Sequence, residues 1–156
     1  RTMPREQLAD LLYTHANDDV MPGEDPYVGK GVLDVGRIID RNEKGIYDVG
    51  ITGYYFDPKD FNGKSSTPFL VSIQNQGTEW IDRATLEIKY GEVTKTLRFA
   101  NIGVGKVKSQ ELLLDAKHAT DPEGTLIMSK VTLDAHQDAD DNNNLRVSRI
   151  TLPTEE

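Results

Sequence analysis

The sequence predicts a mainly β protein: an immunoglobulin-like antiparallel β-sandwich of about seven strands preceded by two helices. The spacing of apolar residues supports this prediction. Up to about residue 41 they recur at helical spacing, and from about residue 46 they alternate with polar residues in short runs separated by turns. Such alternation is typical of antiparallel sheets that bury one face and leave the other in solvent. We therefore expect a helical part, residues 1–41, and a β-sandwich, residues 46–156.

The first part contains two predicted helices joined by a loop rich in glycine and proline. The first covers residues 4–16, where Pro4 suits the first turn, and one of its faces carries Leu8, Leu11, Leu12 and Ala16. The second covers residues 32–41, and one of its faces carries Val32, Val35, Ile38 and Ile39. Two helices this short bury little apolar surface against each other, so we expect both faces to pack into a larger core.

The second part is predicted to contain seven strands. Alternating apolar residues place them at residues 47–55, 69–73, 84–90, 93–99, 107–114, 125–133 and 145–152. In the last run Leu145 and Val147 share a parity that Ile150 and Leu152 do not. This change of parity predicts a β-bulge near Ser148.

Composition excludes several kinds of partner and chemistry. The 156 residues include 26 acidic and 18 basic side chains, a net charge of -8, which disfavours nucleic acid or an anionic membrane as a partner. The chain has no cysteine, so it forms no disulfide framework and has no thiolate chemistry. No apolar run approaches ~20 residues, the length of a membrane-spanning helix. We expect Arg1 to be a terminus made by processing or by the design of the expressed piece.

The β part resembles the CARDB family, a cell-adhesion-related module of bacteria and archaea. The resemblance rests on residues 69–77, Phe-Leu-Val-Ser-Ile-Gln-Asn-Gln-Gly, a strand followed by Asn-x-Gly. It rests also on Asp134 and on residues 138–144, an acidic turn that ends in asparagines before the final strand. The resemblance implies an immunoglobulin-like fold, a secreted or cell-surface location and a protein or cell-surface partner.

Residues 1–41 resemble the last part of a subtilisin-like serine protease domain. The similarity runs through the Pro-initiated helix, then Asp18-Asp19 and a Pro-Gly loop, then Tyr27 to Val35 with its Gly-x-Gly before the final helix. Val28 departs from the usual Tyr-Gly pair. The resemblance implies the remainder of the protease, upstream or in a companion chain, as a partner. The catalytic Asp, His and Ser of that family lie before the matched part, so no catalytic residue is assigned here.

The acidic turn is the candidate metal site. Its carboxylates and amide alternate like the early ligands of a calcium loop, and the candidate ligands are Asp134, Asp138, Asp140, Asp141 and Asn142. It is not an EF-hand, because Asn143 and Arg149 stand where that loop needs glycine and glutamate. The alternative is that these side chains bond to nearby backbone groups and shape a hairpin turn without a cation.

Other residues that could carry chemistry have ordinary explanations. His15 falls in the last turn of the first predicted helix, where capping is its expected role, and His118 and His136 lie in or beside turns. With no cysteine they form no familiar zinc set. Trp80 is expected to plug one end of the sandwich; the alternative is an exposed contact residue.

Two functional hypotheses follow. In the first, the chain is a C-terminal fragment of a secreted subtilisin-like serine endopeptidase. It is non-catalytic by itself, completes the protease core with its helices and carries a docking or binding sandwich. In the second, it is a stand-alone extracellular adhesion or interaction module, with calcium as a candidate ligand. The first requires another polypeptide to cover the apolar helix faces.

Overall fold

The computed structural model describes residues 2–60, 66–115 and 123–151. It confirms the predicted fold class, with two short helices, a small two-stranded sheet and a seven-stranded antiparallel sandwich. The sandwich strands are β3 (Val49–Tyr55), β4 (Ser66–Asn75), β5 (Ile81–Tyr90), β6 (Val93–Ile102), β7 (Val107–Asp115), β8 (Thr125–Leu133) and β9 (Leu145–Ile150). The sequence interpretations that concern His118 and Leu152 lie outside the described residues.

The strands form two sheets, in the orders β3-β4-β7 and β6-β5-β8-β9. All neighbouring strands are antiparallel. In a constant-type immunoglobulin domain the fourth strand pairs with the sheet of the first strand. Here the fourth sandwich strand, β6, stays in the sheet of β5, because a tight turn at Gly91 (φ 56°) folds it directly back onto that strand. The chain then crosses to the other sheet at β7.

The core lies between the two sheets. Alternate residues of β4, β5 and β8 point inward, and the buried set includes Phe69, Val71, Ile73, Leu86, Ile88, Tyr90, Ile127 and Val131. Phe69 of one sheet meets Tyr90 of the other edge to face, with ring centroids 5.3 Å apart. Burial of this continuous apolar layer is the main stabilising term of the fold.

The bulge predicted near Ser148 is wrong. β9 pairs with β8 in an unbroken register from Leu145 to Ile150, so Leu145 and Val147 face outward while Ile150 faces inward. Polar residues can occupy inner positions of this strand because they find hydrogen-bond partners there. The Arg146 guanidinium donates to the Thr52 carbonyl at 2.8 Å. The irregularity lies in β3 instead, between Ile51 and Gly53.

Both helices are shorter than predicted. α1 covers Arg5–Thr14 and α2 covers Val35–Asp40. The second begins late because Val32–Leu33 (β2) pairs with Ala16–Asn17 (β1) in a small antiparallel sheet. Asp34 then caps α2, since its carboxylate accepts from the Arg37 amide at 3.1 Å.

The helix faces predicted to be apolar contacts point largely into solvent. We call residues 2–41 the N-terminal segment. In it Leu8 is 46% exposed, Val35 58% and Ile39 69%, and no residue of α1 is buried. The buried residues of the segment are instead Ala16, Asp18, Asp25 and Arg37. Within the described part of the chain, neither helix has the length and apolar character needed to cross a bilayer.

The turn after β4 is built by Asn75, whose side chain is fully buried. Its amide nitrogen donates to the carbonyls of Glu79 and Ile102, and its oxygen accepts from the Gly77 amide. A Cβ at residue 77 would collide with the Ile46 carbonyl, so glycine is needed there for close packing. The plug predicted at Trp80 is wrong: this ring lies against Gly103 and is 54% exposed.

Candidate functional site

Arg37 joins the N-terminal segment to the end of the sandwich. Its guanidinium lies beneath the segment and donates to three acceptors at 2.9 to 3.0 Å: Ala16 O, Asn17 Oδ1 and Gln76 O. Asn17 in turn donates to the Asp34 carboxylate at 3.0 Å. A charged group this deeply buried needs such partners to offset its lost hydration. The junction is therefore polar and geometrically specific.

Gln74, at the end of β4, makes the second part of this junction. Its amide nitrogen donates to Ala16 O and to Gly105 O, and its oxygen accepts from the Asp18 amide at 3.1 Å. All of these bonds are made by one buried side chain. Through Gln74, residues 16–18 are fixed to the end of β4, and the same side chain binds the loop between β6 and β7 at Gly105.

The acidic turn, residues 134–144, packs beside the junction against the chain that enters β3. The Ala139 amide donates to Tyr47 O at 2.8 Å, and the Ile51 amide donates to Asn143 O at 3.1 Å. The His136 ring stacks on Tyr47, with centroids 3.6 Å apart and an angle of 7° between planes. The turn therefore links the β8-β9 hairpin to the other sheet.

Asp48 lies where the turn and the N-terminal segment meet. Burial raises its pKa to about 6; a hydrogen bond from Asn143 opposes this rise, the nearby carboxylates of Asp138 and Asp140 add to it, and Arg37 opposes it. The Asn143 amide donates to Asp48 Oδ1 at 2.7 Å and to Gln76 Oε1 at 3.1 Å. This carboxyl group changes charge between mildly acidic and neutral pH.

Asp138 and Asp140, two of the predicted calcium ligands, have oxygens already engaged by protein donors. Asp138 Oδ2 accepts from the Val49 amide at 3.2 Å, and Asp138 Oδ1 accepts from the Asp140 amide at 3.1 Å. The Asn144 amide, with its nitrogen turned toward Val49 O, donates to that carbonyl at 2.6 Å and to Asp138 Oδ2 at 3.2 Å. Burial nevertheless raises the pKa of Asp138, and these donors oppose the rise.

The other predicted ligands do not converge on a common point. Asp140 Oδ1 accepts from both the backbone and the side-chain nitrogens of Asn142. Asp134 lies apart, where its carboxylate accepts from the Thr85 hydroxyl at 2.8 Å. Among the described residues no group of three or more His, Asp or Glu side chains is placed to hold a metal ion. The local bonds expected of turn chemistry are present, and the calcium site stays a prediction.

A cleft of about 340 Å³ lies between α2 and the acidic turn. Its walls carry charged groups of both segments, among them Asp34, Arg37, Asp40, Asp48 and Asp140. His15 also reaches it, and its Nδ1 lies 2.8 Å from Leu11 O, in the helix-capping position expected from the sequence. With carboxylates in the majority, the cleft favours cations over anions.

Sequence reasoning missed Arg37, Asp48 and Gln74. In the sequence, Arg37 and Gln74 interrupt runs of apolar residues. Such an interruption indicates a polar residue near the core, but it does not indicate which residue is its hydrogen-bond partner. The contacts join residues 39 positions apart for Arg37 and Gln76, and 95 apart for Asp48 and Asn143. Local pattern does not report on such distant pairs.

Comparison with known proteins finds a likeness among solved structures. No family model matches the chain, and no curated protein matches it. Among solved structures, it is similar to the CARDB domain of the PF1109 protein from Pyrococcus furiosus, solved in complex with di-metal ions. The two share 13% sequence identity over 68% of this chain and 88% of that chain, with a TM-score of 0.48.

Proposed function

We propose that this chain is a non-catalytic C-terminal part of a secreted subtilisin-like serine endopeptidase from a bacterium or archaeon. Its helices complete the protease core, and its sandwich docks on that core or binds a further partner. The observation that carries this proposal is the outward direction of the apolar helix faces. The helical spacing of apolar residues predicts that Leu8, Val35 and Ile39 are buried in a core, yet these side chains are exposed to solvent.

The way in which the N-terminal segment contacts the sandwich supports the proposal that another polypeptide covers its apolar helix faces. Its bonds to the sandwich are polar and are made by Arg37 and by the Asp18 amide, whereas Leu8, Val35 and Ile39 are exposed. A segment of this kind is stable when its second face is buried as well. Residues 2–41 would then form a layer between the sandwich and the catalytic part, with Arg37 fixing the relative position of the two.

The decisive experiment examines the polypeptide in its natural source. Intact mass and N-terminal sequencing of the purified protein, together with labelling by a fluorophosphonate probe for active serines, are expected to show this chain joined or bound to a labelled protease part. That part must carry the Asp, His and Gly-Thr-Ser-Met motifs. A natural protein that lacks such a part would overturn the proposal.

A solution measurement on the isolated chain gives a second test. Without a covering partner, the amides of α1 are expected to exchange with solvent much faster than those of β5, because no residue of this helix is buried. Equal protection of α1 and β5 in the isolated chain would show that the segment needs no partner. That result would count heavily against a protease fragment.

A second candidate function is a stand-alone extracellular adhesion or interaction module, with calcium as a candidate ligand at the acidic turn. The observation that favours it is the bonding of residues 16–18 to the sandwich through Gln74 and Arg37. These contacts attach the N-terminal segment to its own sandwich. The source experiment separates the two functions, since only the first predicts a serine-reactive partner.

A further inference from the structure

The outer face of the β6-β5-β8-β9 sheet combines apolar and basic side chains. Four aliphatic or thioether side chains, each more than two-fifths exposed, lie together on β8 and β9: Leu126, Met128, Leu145 and Val147. The register places Met128 opposite Val147 and Lys130 opposite Leu145. Facing pairs in neighbouring strands are within side-chain contact distance, so these residues form a continuous apolar strip along the β9 edge.

The charge of this face is opposite to that of the whole protein. On the strands, five outward side chains are basic, Arg83, Lys89, Arg98, Lys130 and Arg149, and Glu87 is acidic. Asp134, just beyond β8, adds a carboxylate that accepts from Thr85, and Asp82 is exposed at the start of β5, so basic groups remain in the majority. Glu87 stands opposite Lys130, and Lys89 stands opposite Met128. A locally positive face on a chain of net charge -8 is a distinct electrostatic feature.

The fold does not require the apolar strip. β9 places Arg146 and Ser148 on its inner side and Leu145 and Val147 on its outer side, the reverse of what a sandwich core demands. The strand is also an edge strand, where exposed apolar residues are a liability for aggregation. Residues of this kind at such a position are typical of an interaction surface.

We propose that the outer face of this sheet binds an acidic polypeptide that carries apolar side chains. The apolar strip supplies the area buried on binding, while Lys89, Lys130 and Arg149 at its border pair with carboxylates of the partner. An anionic membrane or polysaccharide fits less well. Such a surface is charged over a large area and is repelled by the net charge of the chain, whereas a protein partner presents its acidic groups locally.

This surface is separate from the N-terminal segment, so it does not depend on the protease proposal. β9 pairs with β8 and contacts β3, and the four apolar side chains all belong to the β8-β9 hairpin. The two surfaces can be occupied at the same time by different polypeptides. If the residues that contact a bound polypeptide are mapped, the protease proposal and the sheet-face proposal can be refuted independently of each other.

The test is titration of the isotope-labelled full chain, followed by amide chemical shifts. The probe is a short synthetic peptide in which glutamate and leucine alternate; a lysine-leucine peptide and a glutamate-serine peptide are the controls. The glutamate-leucine peptide is expected to shift the amides of residues 126–130 and 145–149, with a dissociation constant of order 0.1 mM that weakens with added salt. The two control peptides are expected to bind at least about tenfold more weakly.

Two double variants with the same change in net charge, one on this face and one away from it, show whether the peptide binds at this face. K89E/K130E is expected to weaken binding of the glutamate-leucine peptide about tenfold or more, because both side chains border the strip. K44E/K108E alters the charge equally at exposed sites away from this face and is expected to change binding less than about twofold. L126S/V147S removes the apolar contact and is expected to weaken binding to a similar extent as K89E/K130E.

The proposal is overturned if the glutamate-leucine peptide does not bind, if it shifts amides elsewhere, or if the two charge variants weaken binding equally. It is also overturned if phosphatidylglycerol vesicles or an anionic polysaccharide bind this face more tightly than the peptide does. Circular dichroism of each variant shows whether the sandwich is intact.

Discussion

The N-terminal segment and the sandwich use their residues in opposite ways. In the sandwich, β5 buries its apolar side chains and leaves its charged ones exposed, and the inner face of β8 is mainly apolar. In the segment the buried side chains are Arg37, Asp18 and Asp25 beside Ala16, while Leu8, Val35 and Ile39 are exposed. Apolar burial therefore holds the sandwich together, whereas polar contacts attach the segment to it.

The largest expected difference in stability is between truncation of an apolar side chain in the sandwich and the same truncation in the N-terminal segment. Ile88→Ala opens a cavity between the two sheets, because Ile88 is fully buried, and should lower the free energy of unfolding by about 3 to 4 kcal/mol. Ile39→Ala, the matched change in the N-terminal segment, should change it by less than about 0.5 kcal/mol, because Ile39 is exposed. Urea denaturation of the isolated chain measures both. An equal loss from the two variants would show that the segment has a core of its own.

Removal of the Arg37 guanidinium should release the segment while the sandwich stays folded. Arg37→Met leaves Asn17 Oδ1 and Gln76 O without the Arg37 donor, and Ala16 O keeps only its bond from Gln74. This loss should cost about 2 to 3 kcal/mol of the free energy that holds the segment in place. The measurement is hydrogen exchange at Asp18, whose amide is bonded to Gln74, against exchange at Ile88.

Arg41→Met is the control for this prediction. Arg41 is exposed and, within the described ranges, donates to Ile38 O of the helix that it ends, so its loss should leave exchange at Asp18 unchanged. If Arg37→Met and Arg41→Met gave the same exchange rates, the polar junction would not be what attaches the segment.

Asp48 makes the stability of the same junction depend on pH. Because its native pKa lies near 6, above the unfolded value of 3.8, the native carboxyl holds a proton that the unfolded chain has released between those values. The contribution of Asp48 to the free energy of unfolding is therefore largest below the unfolded pKa. It falls as pH rises through the native pKa.

Asp48→Asn should remove this dependence. At pH 8 the variant should be more stable by about 1 to 2 kcal/mol, a figure reduced for the partial exposure of the group, and at pH 4 it should match the parent. Urea denaturation across this pH range measures the effect, with Asp82→Asn, an exposed aspartate on β5, as the control. Parallel pH profiles for Asp48→Asn and the parent would contradict the assignment.

The sequence predicted the sandwich well and the junction poorly, for a physical reason. Strand prediction depends on alternation within about ten residues, and the inward positions follow that alternation throughout β8 and from Ala84 to Tyr90 of β5. β9 departs from it because Arg146 finds an acceptor in Thr52 of the other sheet. The acidic turn was identified, but not its contacts with Tyr47 and Asp48, since partners so far apart in sequence leave no local pattern.

Of the changes considered, addition of calcium should have the smallest effect on the stability of the protein. In the acidic turn Asp138 accepts from Val49, Asp140 and Asn144, and Asp140 accepts twice from Asn142, so a cation would have to displace bonds that already shape the turn. Millimolar calcium should therefore shift the melting temperature by less than about 1 °C, because stabilisation by a ligand grows as RT ln(1 + L/Kd), where L is the ligand concentration, and is small while L is below Kd. Differential scanning calorimetry with calcium, and with magnesium at equal ionic strength, measures this. A shift of several degrees with calcium only, abolished by Asp140→Asn, would show that cation binding competes successfully with these internal bonds and would make the acidic turn a true ligand site.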